Sequence, residues 1–175
     1  MDPTQINELF QSCAKIGERP IYIDDRSGLD ATDICRSIRK MKKEVGIEIA
    51  FIDYIQKIKG DGDRRIVVGD AASDLKNLAK ELNIPIVVLA QINRKVDERD
   101  DKRPVPSDLK ESGDIEQEAD VIILLYRDEY YNATSSLKGI LEMDIAKYRN
   151  GQTGVVNTKW DGKAQDISSL QPGRR

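Results

Sequence analysis

"IEIAFIDYIQ", residues 47–56, is a nearly continuous apolar run that stops on a carboxylate, Asp53. A strand buried on both faces loses the usual apolar–polar alternation, because helices cover both sides of a parallel sheet. The run therefore reads as a central strand of an α/β sheet, with Asp53 at its carboxyl end. Ligands bind along that rim in open sheets, so an acid there can reach a metal ion held against a phosphate. A strand-ending aspartate in an ordinary turn looks the same when taken alone.

The neighbouring segments support the strand. On the amino side, Ile34, Ile38, Met41 and Val45 recur at helical spacing, with Asp30 or Thr32 able to cap the start and Gly46 just past the end. Further upstream, Ile6, Leu9, Phe10, Cys13 and Ile16 mark a helix ending near Gly17, and "PIYID", residues 20–24, reads as a short strand. On the carboxyl side, Val68, Ala71, Ala72, Leu75, Leu78, Ala79 and Leu82 predict a helix. "PIVVLAQ" (85–91) and "DVIILLY" (120–126) then predict two more buried strands. Helices between such strands imply right-handed parallel crossovers. "GILEMDIAKYRNGQTGVVNTKW" (139–160) predicts two antiparallel strands at the sheet edge, joined by a turn at Asn150 and Gly151, and residues 161–175 read as a tail.

Bulk properties remove several chemistries. A chain of 175 residues is sized for one domain. With 28 basic and 31 acidic residues there is no global positive field, so any contact with nucleic acid must be local. The absence of histidine excludes Ser-His-Asp and Cys-His catalysis and the commonest zinc sites. Cys13 and Cys35 lack paired spacing and read as core thiols in a reducing cytosol. "MDPTQINELF" has neither the basic nor the apolar region of an export signal, and no stretch approaches a membrane span, so a cytoplasmic protein with no membrane partner is expected.

Polar residues at the strand ends carry the remaining signal. Gln91 closes its strand as Asp53 closes its own, so adjacent parallel strands would present both along one rim. A glutamine there can sense a γ-phosphate or orient water, or simply satisfy loop backbone groups. Residues 93–107 form a long charged loop, expected to be mobile or functional. It carries Arg94, Lys95, Arg99, Lys102 and Arg103 interleaved with four acids, which also suits a plain solvated loop. In "SDLKESGDIEQEAD", Ser107 can cap a short turn, Gly113 permits close backbone approach, and exposed amides beside Lys110 would suit a phosphate backbone. Lys147 and Arg149, two apart on a strand, project from one face. They suit either an arginine finger with its companion or an exposed cationic pair guarding a sheet edge.

"FIDYIQ", "VVLAQINR", "DKRPVPSDLKESGDIEQEADVIILLYRDEYY" and "AKYRNGQTG", in this order, resemble the ATPase motor of DnaB-type replicative DNA helicases from about residue 16 to about residue 160. Generic RecA-type recombinases match the third segment less well. The resemblance implies a RecA-like α/β fold, a mostly parallel sheet with flanking helices and antiparallel carboxyl-terminal edge strands. It also implies a ring of six identical subunits, ATP-driven translocation on single-stranded DNA, and replication partners such as a primase or loader. By the same likeness Asp53 is the acid that supports Mg²⁺ and Gln91 couples the γ-phosphate to the DNA loop. Arg149 is the finger reaching a neighbour's nucleotide, accompanied by Lys147. Lys110, Glu111 and Gly113 fall in the loop that holds the DNA backbone. Arg94, ending "VVLAQINR", joins this DNA-binding set, as do Arg64 and Arg65, which with Lys57 and Lys59 flank "GDGD" where another pore loop is expected.

One departure is large. The phosphate-cradling GxxxxGK[ST] is absent, since the single Gly-Lys step, Gly162-Lys163, is followed by Ala164. The family's general-base glutamate, expected shortly after that motif, is absent too. The resemblance thus implies a sheet incomplete on its amino-terminal side, lacking the strand that lies between "PIVVLAQ" and "DVIILLY" and leaving both with an unpaired edge. ATP and Mg²⁺ are expected in the complete motor and neither on this chain alone, which should not hydrolyse ATP. The alternative is a nucleotide-free module that docks on helicase subunits or DNA.

Overall fold

In a computed structural model describing residues 2–109 and 113–170, the apolar run 47–56 lies in a β–α–β unit. Strand β1 (Ala50–Ile52) leads through helix α3 (Arg64–Leu82) to β2 (Ile86–Val88), which pairs parallel with β1 in the register Ala50↔Ile86, Phe51↔Val87, Ile52↔Val88. Asp63 starts α3 by accepting the Arg65 N–H at 2.8 Å, and Asn83 stops it in a left-handed conformation, φ 50°.

Helix α2 (Ala31–Val45) packs with α3 over this pair. Its predicted caps are observed: Asp30 accepts the Asp33 N–H at 2.8 Å, and Gly46 takes φ 71°, where a side chain would be strained. Cys35 and Ile38 from α2 join Val68, Ala71, Leu75 and Leu78 from α3 in the main buried core, each such side chain of valine size or larger contributing ~1.5–3 kcal/mol.

The remaining strands form a separate antiparallel sheet. β3 (Val121–Tyr126), β4 (Ile140–Tyr148), β5 (Gly154–Asp161) and β6 (Asp166–Ser169) pair in that order, while α4 (Gly113–Glu118) precedes β3 and α5 (Asp128–Tyr131) follows it. The hairpin at 150–151 is as predicted. β6 was not anticipated: its alternation is hidden because all four of its residues are exposed.

Among the described residues β2 pairs with β1 alone and β3 with β4 alone, so the two expected open edges are present. The parallel part is consequently one strand pair, and "DVIILLY", expected in a parallel ladder, has an antiparallel partner only. Nor is that strand covered on both faces. Ile122, Leu124 and Tyr126 are buried, while Val121, Ile123 and Leu125 on the other face are exposed, as are Phe51 and Val87 in the parallel pair.

Two expectations on the amino side require correction. Residues 20–24 form no strand. Among the described residues β1 is hydrogen-bonded to β2 alone, and Asp24 is drawn to Arg26 (2.7 Å) and to Ser37 of α2 (2.9 Å), so the segment passes beside α2 with Ile21, Tyr22 and Ile23 exposed. Helix α1 (Pro3–Gly17) forms as predicted, but its apolar positions, including Ile6, Leu9 and Phe10, are open to solvent. Cys13 on this helix is therefore exposed and is not a core thiol, whereas Cys35 is buried.

Candidate nucleotide rim and its cations

Asp53 follows β1 directly and is exposed; its carboxylate accepts no hydrogen bond among the described residues. The rim beside it is closed by backbone bonds. The Leu89 N–H donates to the Ile52 carbonyl at 2.9 Å, and the Leu89 carbonyl accepts the Ile55 N–H at 3.0 Å. Two residues further, the Gln91 N–H donates to Oε1 of Gln56 at 3.0 Å, so a side chain takes over where the ladder has ended. The Asp53 and Gln91 loops are thus adjacent, as the two parallel strands required.

An exposed, unengaged carboxylate fits a hard cation. Mg²⁺ is characteristically held by one or two carboxylates together with phosphate oxygens. No cluster of three or more metal-ligating residues occurs among the described residues, so Asp53 would hold such an ion only with oxygens from a nucleotide and water.

The cations that the sequence resemblance places near DNA are in different states. Arg64, at the first position of α3, donates to the Ile58 carbonyl at 2.5 Å and to the Gln56 carbonyl. Arg65 and Arg94 are exposed, and their guanidinium groups have no partner among the described residues. Lys57 lies 5.8 Å from the centre of the Tyr54 ring. Lys110 and Glu111 lie outside the described residues; Gly113 opens α4.

Residues 93–107 carry a 3-10 turn at Arg94–Glu98, and a second follows at Pro106–Asp108. Ser107 lies inside the second turn and does not cap it; Asp108 accepts the Val105 N–H at 2.8 Å instead. Much of the charge in this loop is engaged internally. Arg99 pairs with Asp108 at 2.6 Å, Lys102 donates to the Asp97 carbonyl at 2.7 Å, and Arg103 grips both carboxylate oxygens of Glu142 at 2.8 Å. Glu142 is buried on β4, and the Arg103 guanidinium also lies 4.7 Å from the Tyr126 ring centre. Neither Glu142 nor Gln56 received a role from sequence. The only available signal for Glu142 was an acid at an inward strand position; for Gln56 it was a polar residue three places past the strand-ending Asp.

Lys147 and Arg149 do project together, and both reach the last turn of α4. Lys147 donates to the carbonyls of Glu116 and Gln117, the latter at 3.2 Å, and Arg149 donates to that of Gln117. Helix-terminal carbonyls lack intrahelical partners and attract cations. The Arg149 N–H also donates to the Asp120 carbonyl at 2.9 Å, and its Nε stands 3.8 Å from the Asp120 carboxylate. That carboxyl is held below the usual range chiefly by its hydrogen bond from Lys76, with the charges of Lys76 and Arg149 adding to it.

Residues 1–169 match the DnaB-like helicase C-terminal domain. The chain belongs to that family. It is 42% identical over 160 residues to the replicative DNA helicase DnaB of Geobacillus stearothermophilus, a match covering 89% of this chain and 35% of the relative. It is 41% identical over 154 residues to the replicative DNA helicase DnaC of Bacillus subtilis, covering 86% and 34%. Among solved structures, a DnaB-like replicative helicase, described with its interactions with primase, matches with TM-score 0.91 and 35% identity, over 98% of this chain and 43% of that one. A separately solved ATPase domain matches with TM-score 0.88 and 36% identity, over 94% of this chain and 60% of that one. The fold is therefore RecA-like, and the chain spans about a third of the length of these curated relatives.

Proposed function

We propose that the chain is the carboxyl-terminal part of an ATP-dependent DNA helicase motor that couples hydrolysis to movement along single-stranded DNA. The observation that carries this reading is the rim, where Asp53, unengaged among the described residues, and the Gln91 loop lie side by side at the carboxyl ends of neighbouring parallel strands. Asp53 would hold Mg²⁺ together with nucleotide oxygens, and the ion would supply neutralisation of phosphate charge. Gln91 meets the γ-phosphate and transmits its presence to the DNA loops, to which Lys110, Glu111, Gly113, Arg94, Arg64 and Arg65 belong. Arg149, with Lys147 beside it, crosses to a neighbouring subunit's nucleotide. The assembly is a cytoplasmic ring of six, with partners of the primase or loader class.

The chain carries no GxxxxGK[ST] cradle, and one carboxylate does not replace the backbone amides and lysine that hold phosphates. Calorimetry on the chain alone is expected to show no measurable Mg·ATP binding; tight binding would overturn this account. The positive test is a chimaera in which residues 1–169 replace the matching segment of the Bacillus subtilis relative. It should hydrolyse ATP under stimulation by single-stranded DNA, and Asp53→Asn should abolish that activity. The missing cradle also supports a second reading, a nucleotide-free module docking on helicase subunits or DNA. An inert chimaera, together with tight binding of the isolated chain to a helicase ring, would establish it.

A further inference from the structure

We infer that Gln56 is a positioning residue for Gln91, joining the nucleotide rim to the loop that leads into α3; the inference rests on the motor reading given above. The ladder between β1 and β2 ends at Leu89, and from Asp53 the chain turns away into the 3-10 turn Ile55–Lys57. The Gln91 N–H would otherwise face the end of the ladder without a backbone acceptor. Oε1 of Gln56 supplies one at 3.0 Å, from a residue 35 positions away in sequence.

The same residue is held from its other side. Its backbone carbonyl accepts from Arg64, which also donates to the Ile58 carbonyl at 2.5 Å. Gln56 therefore stands between two groups of opposite duty: the backbone of the residue that meets the γ-phosphate, and the arginine that opens α3 beside the exposed Arg65. A shift of the Gln91 backbone away from Gln56 by more than about half an ångström either breaks the 3.0 Å bond or draws the 55–58 turn and Arg64 with it. An asparagine is too short to bridge the two loops, and an apolar side chain of equal length fills the space without accepting the N–H.

The test uses Gln56→Met, nearly the same shape with no good acceptor, and Gln56→Glu, which keeps one. In the 175-residue chain itself, Gln56→Met is expected to speed hydrogen exchange at the Gln91 amide by about tenfold while Gln56→Glu leaves it slow. In the chimaera, Gln56→Met should lower DNA-stimulated kcat by about tenfold with KM for ATP changed less than about twofold, and Gln56→Glu should restore it. Combined with Gln91→Ala, the Gln56→Met loss should disappear, because it acts through Gln91. Unchanged exchange at Gln91 in Gln56→Met would overturn the inference, and so would a kcat loss that persists undiminished beside Gln91→Ala. If Gln91→Ala alone left turnover intact, the sensor reading of Gln91 would fall instead, while the exchange result would still decide the Gln56 bond.

Discussion

The rim of the parallel pair and the end of strand β4 both gather side chains that the proposed function assigns to a nucleotide, yet they hold them in opposite states. At the rim, Asp53 is exposed and its carboxylate has no hydrogen-bond partner among the described residues. At the end of β4, Lys147 and Arg149 are already engaged with the last carbonyls of α4 and with Asp120. A side chain that acts on its own subunit's nucleotide can wait in solvent. On the proposed motor reading Arg149 must first leave these carbonyls to reach a neighbour's nucleotide, and an anionic phosphate is the kind of partner that can displace a few such hydrogen bonds.

The comparison breaks most visibly in mixed rings of the chimaera. Arg149→Ala should leave nucleotide binding nearly intact and lower turnover by ~10³-fold or more, the size of effect that arginine fingers have elsewhere. Doped into parental rings, it should silence the neighbour's site, whereas Asp53→Asn should silence its own. Unchanged turnover in uniform Arg149→Ala rings would remove the finger from this end of β4.

The fold side of this contrast was largely legible. Apolar runs ending on Asp53 and Gln91 gave the parallel pair, and helical spacing with Asp30 and Gly46 gave α2 to its caps. What the sequence could not convey was engagement. Arg103 and Arg94 look alike in "NRKVDERDDKRPVPS", yet one grips buried Glu142 and the other has no partner among the described residues, because the difference lies in a strand 39 residues further on. Strand 20–24 failed for a related reason: an apolar run specifies a strand only when a partner edge is paired to it, and among the described residues β1 has β2 alone. β3 was misjudged because apolar side chains at every position predict two covered faces, and here one is bare. The open edges of β2 and β3 and that bare face together predict a chain that is either marginal and self-associating or has its gap filled by another segment, and whose melting temperature rises when the part of the Bacillus subtilis relative outside the match is added in trans.

Stability should divide along the same line. Leu78→Ala removes a side chain only 1% exposed beneath the parallel pair and should lower unfolding stability by ~2–5 kcal/mol, measured as a fall in denaturant midpoint at constant slope. Arg103→Met should cost about 2 kcal/mol, because it leaves the Glu142 carboxylate, 8% exposed, without its two charge-assisted bonds. Arg65→Met, which disturbs no bond among the described residues, is the control and should stay within about 0.5 kcal/mol. An Arg103→Met midpoint equal to that of Arg65→Met would mean that the 93–107 loop is not anchored to β4.

The smallest effect tests how firmly Arg149 is held. The Asp120 carboxyl, lowered chiefly by its hydrogen bond from Lys76 and further by the charges of Lys76 and Arg149, has a folded pKa below its unfolded one. Such a group stabilises the chain fully above the unfolded value, about 4, and that contribution is lost as pH falls through the folded value. Asp24, held low by Arg26 and Ser37, has the same sign, so the share of Asp120 must be read as a difference between variant and parent. Asp120→Asn should therefore be less stable than the parent near pH 7, by no more than ~1 kcal/mol because the side chain is 54% exposed. The gap should close below about pH 4 and shrink in high salt. In the chimaera the same substitution removes a competitor for Arg149, so turnover should hold steady or rise. A loss of turnover in Asp120→Asn would show that Asp120 aims Arg149 at the neighbour, not that it merely keeps it at rest.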